Sequence, residues 1–94
     1  MTFDDIRGLT DGATYCVMFG NPTCTPCIQS KPIWIMECER SGVEFLYIDV
    51  HQNPELASEL GIRMVPYVLI IDDGQIVDII NGATRPERIA SALG

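Results

Sequence analysis

Two cysteines separated by two residues, in the stretch Thr23-Cys24-Thr25-Pro26-Cys27, stand between a strand-like run and a helix-like run. No other feature constrains the chain as much. In that context Cys-x-x-Cys reads as a redox dithiol rather than as half of a metal site. A cysteine at the start of a helix meets unpaired backbone N–H groups and the positive end of the helix dipole, and both favour a negative charge. They stabilise the thiolate, which is the form that attacks a disulfide.

The residues around this stretch predict its frame. Thr2 is a plausible cap for a short helix carrying Phe3, Ile6 and Leu9, interrupted by Gly8 and then by Thr10-Asp11-Gly12. Tyr15-Cys16-Val17-Met18-Phe19 is continuously apolar and suits a strand buried on both faces. From Cys27 to Arg40 the pattern is helical, with Ile28, Ile35 and Cys38 on one side and Lys31 and Trp34 near it. Pro32 should kink that helix, and Gly42 suits its left-handed end.

Val43 to Val50 reads as a second strand, and Asn53-Pro54 as the cap and first turn of a helix carrying Leu56 and Leu60, closed by Gly61. Ile62 to Val65 is a connector. Tyr67 to Ile71 and Gln75 to Ile80 flank Asp73-Gly74, the turn pair favoured in a two-residue hairpin. Thr84 and Glu87 form a capping box for a last helix with Ile89 and Leu93. The predicted order is α-β-α-β-α-β-β-α. The first two strands should be parallel across a helical crossover and the last two antiparallel, in a mixed four-stranded α/β sheet with helices on both faces.

Ninety-four residues suffice for one core but not two, so a single domain over residues 1–94 is expected. Thirteen acidic against six basic residues leave a net charge of −7, which argues against nucleic acid or an anionic membrane surface as the main partner. No unbroken apolar run exceeds five residues, as in Tyr67 to Ile71, far short of a membrane span. The acidic start Met1-Thr2-Phe3-Asp4-Asp5 lacks a secretory pattern, and four cysteines without one point to a reducing, cytoplasmic setting. Zinc normally takes four ligands, and beyond the pair only Cys16, Cys38 and His51 are on offer, scattered along the chain. Neither a metal nor any other cofactor is expected. Cys16 and Cys38 read as small buried hydrophobes and His51 as a solvated loop residue.

Across nearly its whole length the chain resembles the thioredoxin superfamily. The resemblance rests on the strand–Cys24-Thr25-Pro26-Cys27–helix unit, Pro32 five residues after the second cysteine, Val65-Pro66 before the third strand, and Gly82 after the hairpin. Asp49 and Gly61-Ile62-Arg63 also match. The resemblance implies a dithiol enzyme that reduces protein disulfides. Cys24 would attack the substrate, and Cys27 would then attack Cys24 to release it and leave the Cys24–Cys27 disulfide. Only about 5–6% of X–Pro bonds in folded proteins are cis, but the resemblance implies a cis Val65–Pro66 bond packed on the dithiol. Met64 and Val65 would pair with an extended substrate there, and Gly82 and Ala83 would complete the groove. Thr23, Thr25 and Pro26 would form the active-site loop. Electrons would come from a thioredoxin reductase, and ribonucleotide reductase is a plausible acceptor for a protein expected to be monomeric.

The chain also departs from the family. Thr23 replaces a common tryptophan and Thr25 a common glycine, and the chain begins at the first helix without a leading strand, which gives a glutaredoxin-sized form. Met18 stands where a buried acid assists the second cysteine, and the accompanying lysine would align near Phe45. Deprotonation of Cys27 then needs water or another group, and slower resolution of mixed disulfides is expected. A glutathione-using glutaredoxin is one alternative, although Gly82-Ala83-Thr84-Arg85 lacks the Gly-Gly and acidic pattern such proteins use. The other is a binding module on the same fold without redox turnover.

Overall fold

The computed structural model describes residues 2–82 and 86–93, with the side chains of Phe3 and Pro86 excepted. The elements are α1 (Phe3–Arg7), β1 (Thr14–Gly20), α2 (Thr25–Ser41), β2 (Glu44–Asp49), α3 (Pro54–Glu59), β3 (Tyr67–Asp72), β4 (Gln75–Asn81) and α4 (Pro86–Leu93). The sheet order is β2-β1-β3-β4, with β1 and β2 parallel and the other neighbours antiparallel. This is the expected order and topology. Ala83 and the Thr84 half of the anticipated capping box lie outside the described residues.

Alternation along β1 sets the layers, because successive strand side chains point to opposite faces. Cys16 and Met18 join Val68, Ile70 and Ile80 of the sheet in a core with Trp34 and Cys38 of α2 and Ile89 of α4. Val17 and Phe19 join Ile48, Leu69 and Ile71 in a second core with Ile6 of α1 and Leu56 of α3. Every β1 residue from Cys16 to Gly20 is buried, which accounts for a run with no polar residue in it.

Local chemistry fixes the ends. Thr2 and Asp5 form a capping box, the Asp5 amide donating to Thr2 Oγ1 at 3.2 Å and the Thr2 amide to Asp5 at 2.8 Å. At the β3–β4 hairpin Asp73 and Gly74 have φ of 52° and 74°, as a tight primed turn requires. Gly42, φ 69°, ends α2 with its amide on Cys38 O.

Two local expectations are corrected. Asn53 precedes α3, but its side chain makes no capping bond; Nδ2 instead donates to Asp49 O at 3.0 Å, tying the β2–α3 loop back to the strand. On α2 the buried stripe is Cys27, Ser30, Trp34, Glu37 and Cys38, while Ile28 is 59% exposed and Ile35 only partly buried. Two polar residues sit on the covered face because each is locally satisfied. Ser30 Oγ donates to Pro26 O at 2.7 Å, and Glu37 accepts from Arg40 at 3.2 Å. The helix runs unbroken through Pro32, which lies on its exposed side.

Phe19 is wholly buried in the second core. Phe19→Ala should therefore cost about 3–5 kcal/mol, seen as a lower urea midpoint with the chain's one tryptophan, Trp34, as the fluorescence probe.

Candidate active site

The dithiol lies where β1 hands the chain to α2. Asn21 builds the turn between them: its Oδ1 accepts from both the amide and the hydroxyl of Thr23 at 2.9 Å, and its carbonyl accepts from the Cys24 amide at 3.2 Å. Cys24 is then the N-cap of α2, and its Sγ accepts the Cys27 amide at 3.2 Å. Its carbonyl accepts the Ile28 amide at 3.0 Å. A cap that is a sulfur puts that sulfur against the helix's unpaired N–H groups.

Cys24 and Cys27 are joined as a disulfide with their Cα atoms 5.2 Å apart. The two sulfurs have different surroundings. Cys24 is half-buried at the rim, next to exposed Thr23, Thr25 and Pro26, whereas Cys27 is 1% exposed and belongs to the first core.

The Val65–Pro66 peptide bond is cis, and Val65 O lies 3.8 Å from Cys24 Sγ. Pro66 is buried, and its carbonyl accepts the Gly82 amide at 2.8 Å. Met64, just before, is 57% exposed. The structure thus brings Cys24, Cys27, Val65, Pro66 and Gly82 to one edge, with Met64 beside it.

Behind Cys27 the surroundings differ from expectation. The β2 neighbour of Met18 is Tyr47, while Phe45 pairs with Cys16. Parallel register, and not the apolar pattern alone, decides which β2 residue stands beside Met18. A Cβ placed on Gly20 would lie 2.5 Å from Tyr47 Oη and 3.1 Å from Cys27 Sγ, so both atoms crowd the same point. Lys31 Nζ stands 4.0 Å from the centre of the Tyr47 ring, a cation–π contact. Burial, and then the Asp49 carboxylate, raise the Tyr47 phenol above its ordinary pKa. Asn21, Lys31 and Tyr47 were not singled out from sequence. The turn string Gly20-Asn21-Pro22 and the four-residue step from Cys27 to Lys31 were signals for the first two.

Cys16 and Cys38 are free thiols buried in the first core. A hydrogen bond shared with Cys38, reinforced by burial, pushes the Cys16 thiol far up, so it stays protonated and inert. His51 is exposed, and among the described residues no group of three His, Cys, Asp or Glu is placed to hold a metal ion.

The thioredoxin family model matches residues 7–94. The chain belongs to the thioredoxin family. It is 35% identical over 79 residues to a thioredoxin of Pyropia yezoensis, covering 82% of this chain and 74% of that one. It is 34% identical over the same length and shares to thioredoxin 1 of Synechococcus elongatus. Among solved structures, a thioredoxin variant from Halobacterium salinarum superposes with a TM-score of 0.85 at 27% identity, covering 96% of this chain and 78% of that one. Oxidised mitochondrial thioredoxin 3 of Saccharomyces cerevisiae, at 23% identity, shares the fold with a TM-score of 0.84, over 98% of this chain and 88% of its own.

Family membership and the paired cysteines make the chain a thiol–disulfide oxidoreductase of the dithiol type. Its redox group is the Cys24–Cys27 disulfide. Thioredoxins act on disulfide-bearing proteins and typically take electrons from a thioredoxin reductase.

Beside the dithiol, Gly20 leaves no room for a side chain. Gly20→Ala should displace Tyr47 or Cys27 and cost about 1–3 kcal/mol, measured as a lower urea midpoint at unchanged slope.

Proposed function

We propose that this single domain reduces protein disulfides with Cys24 as nucleophile and Cys27 as resolving thiol. The observation that carries the assignment is the asymmetry of the pair: the half-buried Cys24 sulfur takes the Cys27 amide at the start of α2, while Cys27 lies in the core. In the reduced protein that N–H and the dipole of a seventeen-residue helix favour the Cys24 thiolate. Cys24 sulfur attacks one substrate sulfur, the substrate disulfide breaks, and a mixed disulfide forms. Cys27 sulfur then attacks Cys24, and the substrate leaves as a dithiol. The substrate gains two electrons and the protein is left as the Cys24–Cys27 disulfide.

An extended substrate segment would lie along Met64, Val65 and Pro66, with Gly82 on its other side and Ala83, next in sequence, as a further substrate-binding residue. The position of Val65 O near Cys24 Sγ and the Pro66–Gly82 hydrogen bond support this groove. Thr23, Thr25 and Pro26 surround the attacked sulfur. The protein acts as a monomer in the cytoplasm, carrying electrons from a thioredoxin reductase to acceptors such as ribonucleotide reductase and contributing to cell redox balance. The disulfide is its only redox group and no metal is needed.

Cys24→Ser should reduce the rate of insulin disulfide reduction to background. Cys27→Ser should instead accumulate a mixed disulfide on Cys24, visible by intact-mass spectrometry. The reverse pattern would exchange the two roles. The reduction potential in a defined thiol buffer should fall near the thioredoxin value of about −270 mV. A potential above roughly −200 mV would place the protein with glutathione-coupled or oxidising relatives instead.

A further inference from the structure

The resolving step needs the Cys27 thiol to lose a proton, and its position on the core side makes that difficult. Burial disfavours a thiolate. The strand residue beneath it, Met18, is wholly buried and cannot take a proton. The first core offers Val68 and Ile70 from β3, Ile80 from β4 and Ile89 from α4, none of which titrates. Cys16 and Cys38 belong to the same cluster but share a hydrogen bond with each other. The titratable or charged groups left near Cys27 are Cys24, its partner; Lys31 on α2; Tyr47 on β2; and Asp49, the register partner of Gly20. Asp49 Oδ1 accepts the His51 amide at 2.8 Å. Glu37, further along α2, and Asp78 on β4 are paired with Arg40 and Arg88.

One polar atom of this set shares a contact point with the Cys27 sulfur. Tyr47 Oη and Cys27 Sγ flank one space over Gly20, 2.5 Å and 3.1 Å from where a Cβ on that residue would stand. Both residues also line a groove of about 460 Å³, together with Asn21, Ile28, Lys31 and Ile35, which opens to solvent. Met64, Val65, Pro66 and Gly82, on the substrate side of the dithiol, are not among the residues that line this groove. Lys31, one turn after Cys27 on α2, holds its ammonium over the Tyr47 ring.

We propose that the Tyr47 hydroxyl, steadied by the Lys31 ammonium, is the proton relay for Cys27 in the resolving step. This inference rests on the assignment of Cys27 as the resolving thiol. Tyr47 stays a neutral phenol, because burial and Asp49 both oppose its ionisation. Its hydroxyl can therefore accept from the Cys27 S–H while donating to water. As Cys27 sulfur approaches Cys24, the Cys27 proton passes to Tyr47 Oη and the Tyr47 proton passes to water. The new S–S bond forms between Cys27 and Cys24, the bond from Cys24 to the substrate sulfur breaks, and its electron pair leaves with that sulfur. The departing thiolate takes its proton from solvent. Lys31 is a positioning residue: it acts through the ring, and its charge favours the transient negative sulfur.

The test uses the reduced protein and dithiobis(nitrobenzoate) in single-turnover stopped flow from mildly acidic to alkaline pH. The first nitrothiobenzoate released reports attack by Cys24, and the second reports resolution by Cys27. Absence of the second release in the parent would remove the resolving role itself, and the relay with it. With both releases present, Tyr47→Phe keeps the ring and the cation contact and removes only the hydroxyl. The expected result is an unchanged first release and a second release slowed roughly tenfold at neutral pH, with its midpoint moved about one unit upward.

An unchanged pH profile for the second release in Tyr47→Phe would overturn the relay. Lys31→Met should move that midpoint less than Tyr47→Phe does, and a larger shift would overturn the assignment to the hydroxyl. In the unmodified protein, the Tyr47 ring ¹³Cζ signal should show an inflection at the Cys27 titration. A ring signal that ignores that titration would also overturn it.

Discussion

The structure depends on β1 being covered on both faces. A strand in the middle of the sheet has no solvent side, so each residue from Cys16 to Gly20 has to fit a packed environment. Met18 and Phe19 are neighbours in the chain but belong to different cores, one under α2 and α4 and the other under α1 and α3. The same strand therefore joins two layers of helices, and it ends at the turn that presents the dithiol. A rigid strand feeding a helix N-terminus places Cys24 and Cys27 accurately without any long loop.

That placement creates the chemical difference between two identical side chains. Cys24, as the N-cap, has its sulfur against the Cys27 amide and the positive end of α2. Cys27, three residues later, has turned through most of one helical turn and faces the sheet. One thiol is therefore activated and accessible while the other is desolvated. Reactivity in sequence follows from that difference. Burying the second thiol protects it from stray oxidants, but it also raises the cost of the ionisation that resolution requires.

The frame of the molecule was largely legible in the chain. The continuous apolar run of β1, the Asp73-Gly74 turn, the Cys-x-x-Cys at a strand–helix junction and the glycine stop at Gly42 each have one strong physical reading. The α2 face was harder. Ser30 and Glu37 look like solvent residues, and only their local partners, Pro26 O and Arg40, allow them to be covered. The Asn53 side chain does not cap α3, because its amide instead reaches back four residues to Asp49 O.

Across β1 and β2 the difficulty was register. Phe45, Tyr47 and Asp49 alternate with Leu46 and Ile48, so the sequence pattern leaves Phe45 and Tyr47 equally placed to face α2. Three-dimensional pairing puts Tyr47, not Phe45, beside Met18. The consequence is chemical. Met18 and Phe45 would form an oily wall with no means of handling a proton. Met18 and Tyr47 form an apolar floor with one hydroxyl at its wet end, under a lysine carried by the same helix as the thiol it serves. A buried carboxylate would need desolvating together with the thiol, whereas a neutral phenol at the edge of a groove avoids a second buried charge. Gly20 is what lets that hydroxyl approach, since any side chain there would fill the point the oxygen and the sulfur share. Gly20, Lys31 and Tyr47 therefore belong together as one arrangement around Cys27, spread over β1, α2 and β2.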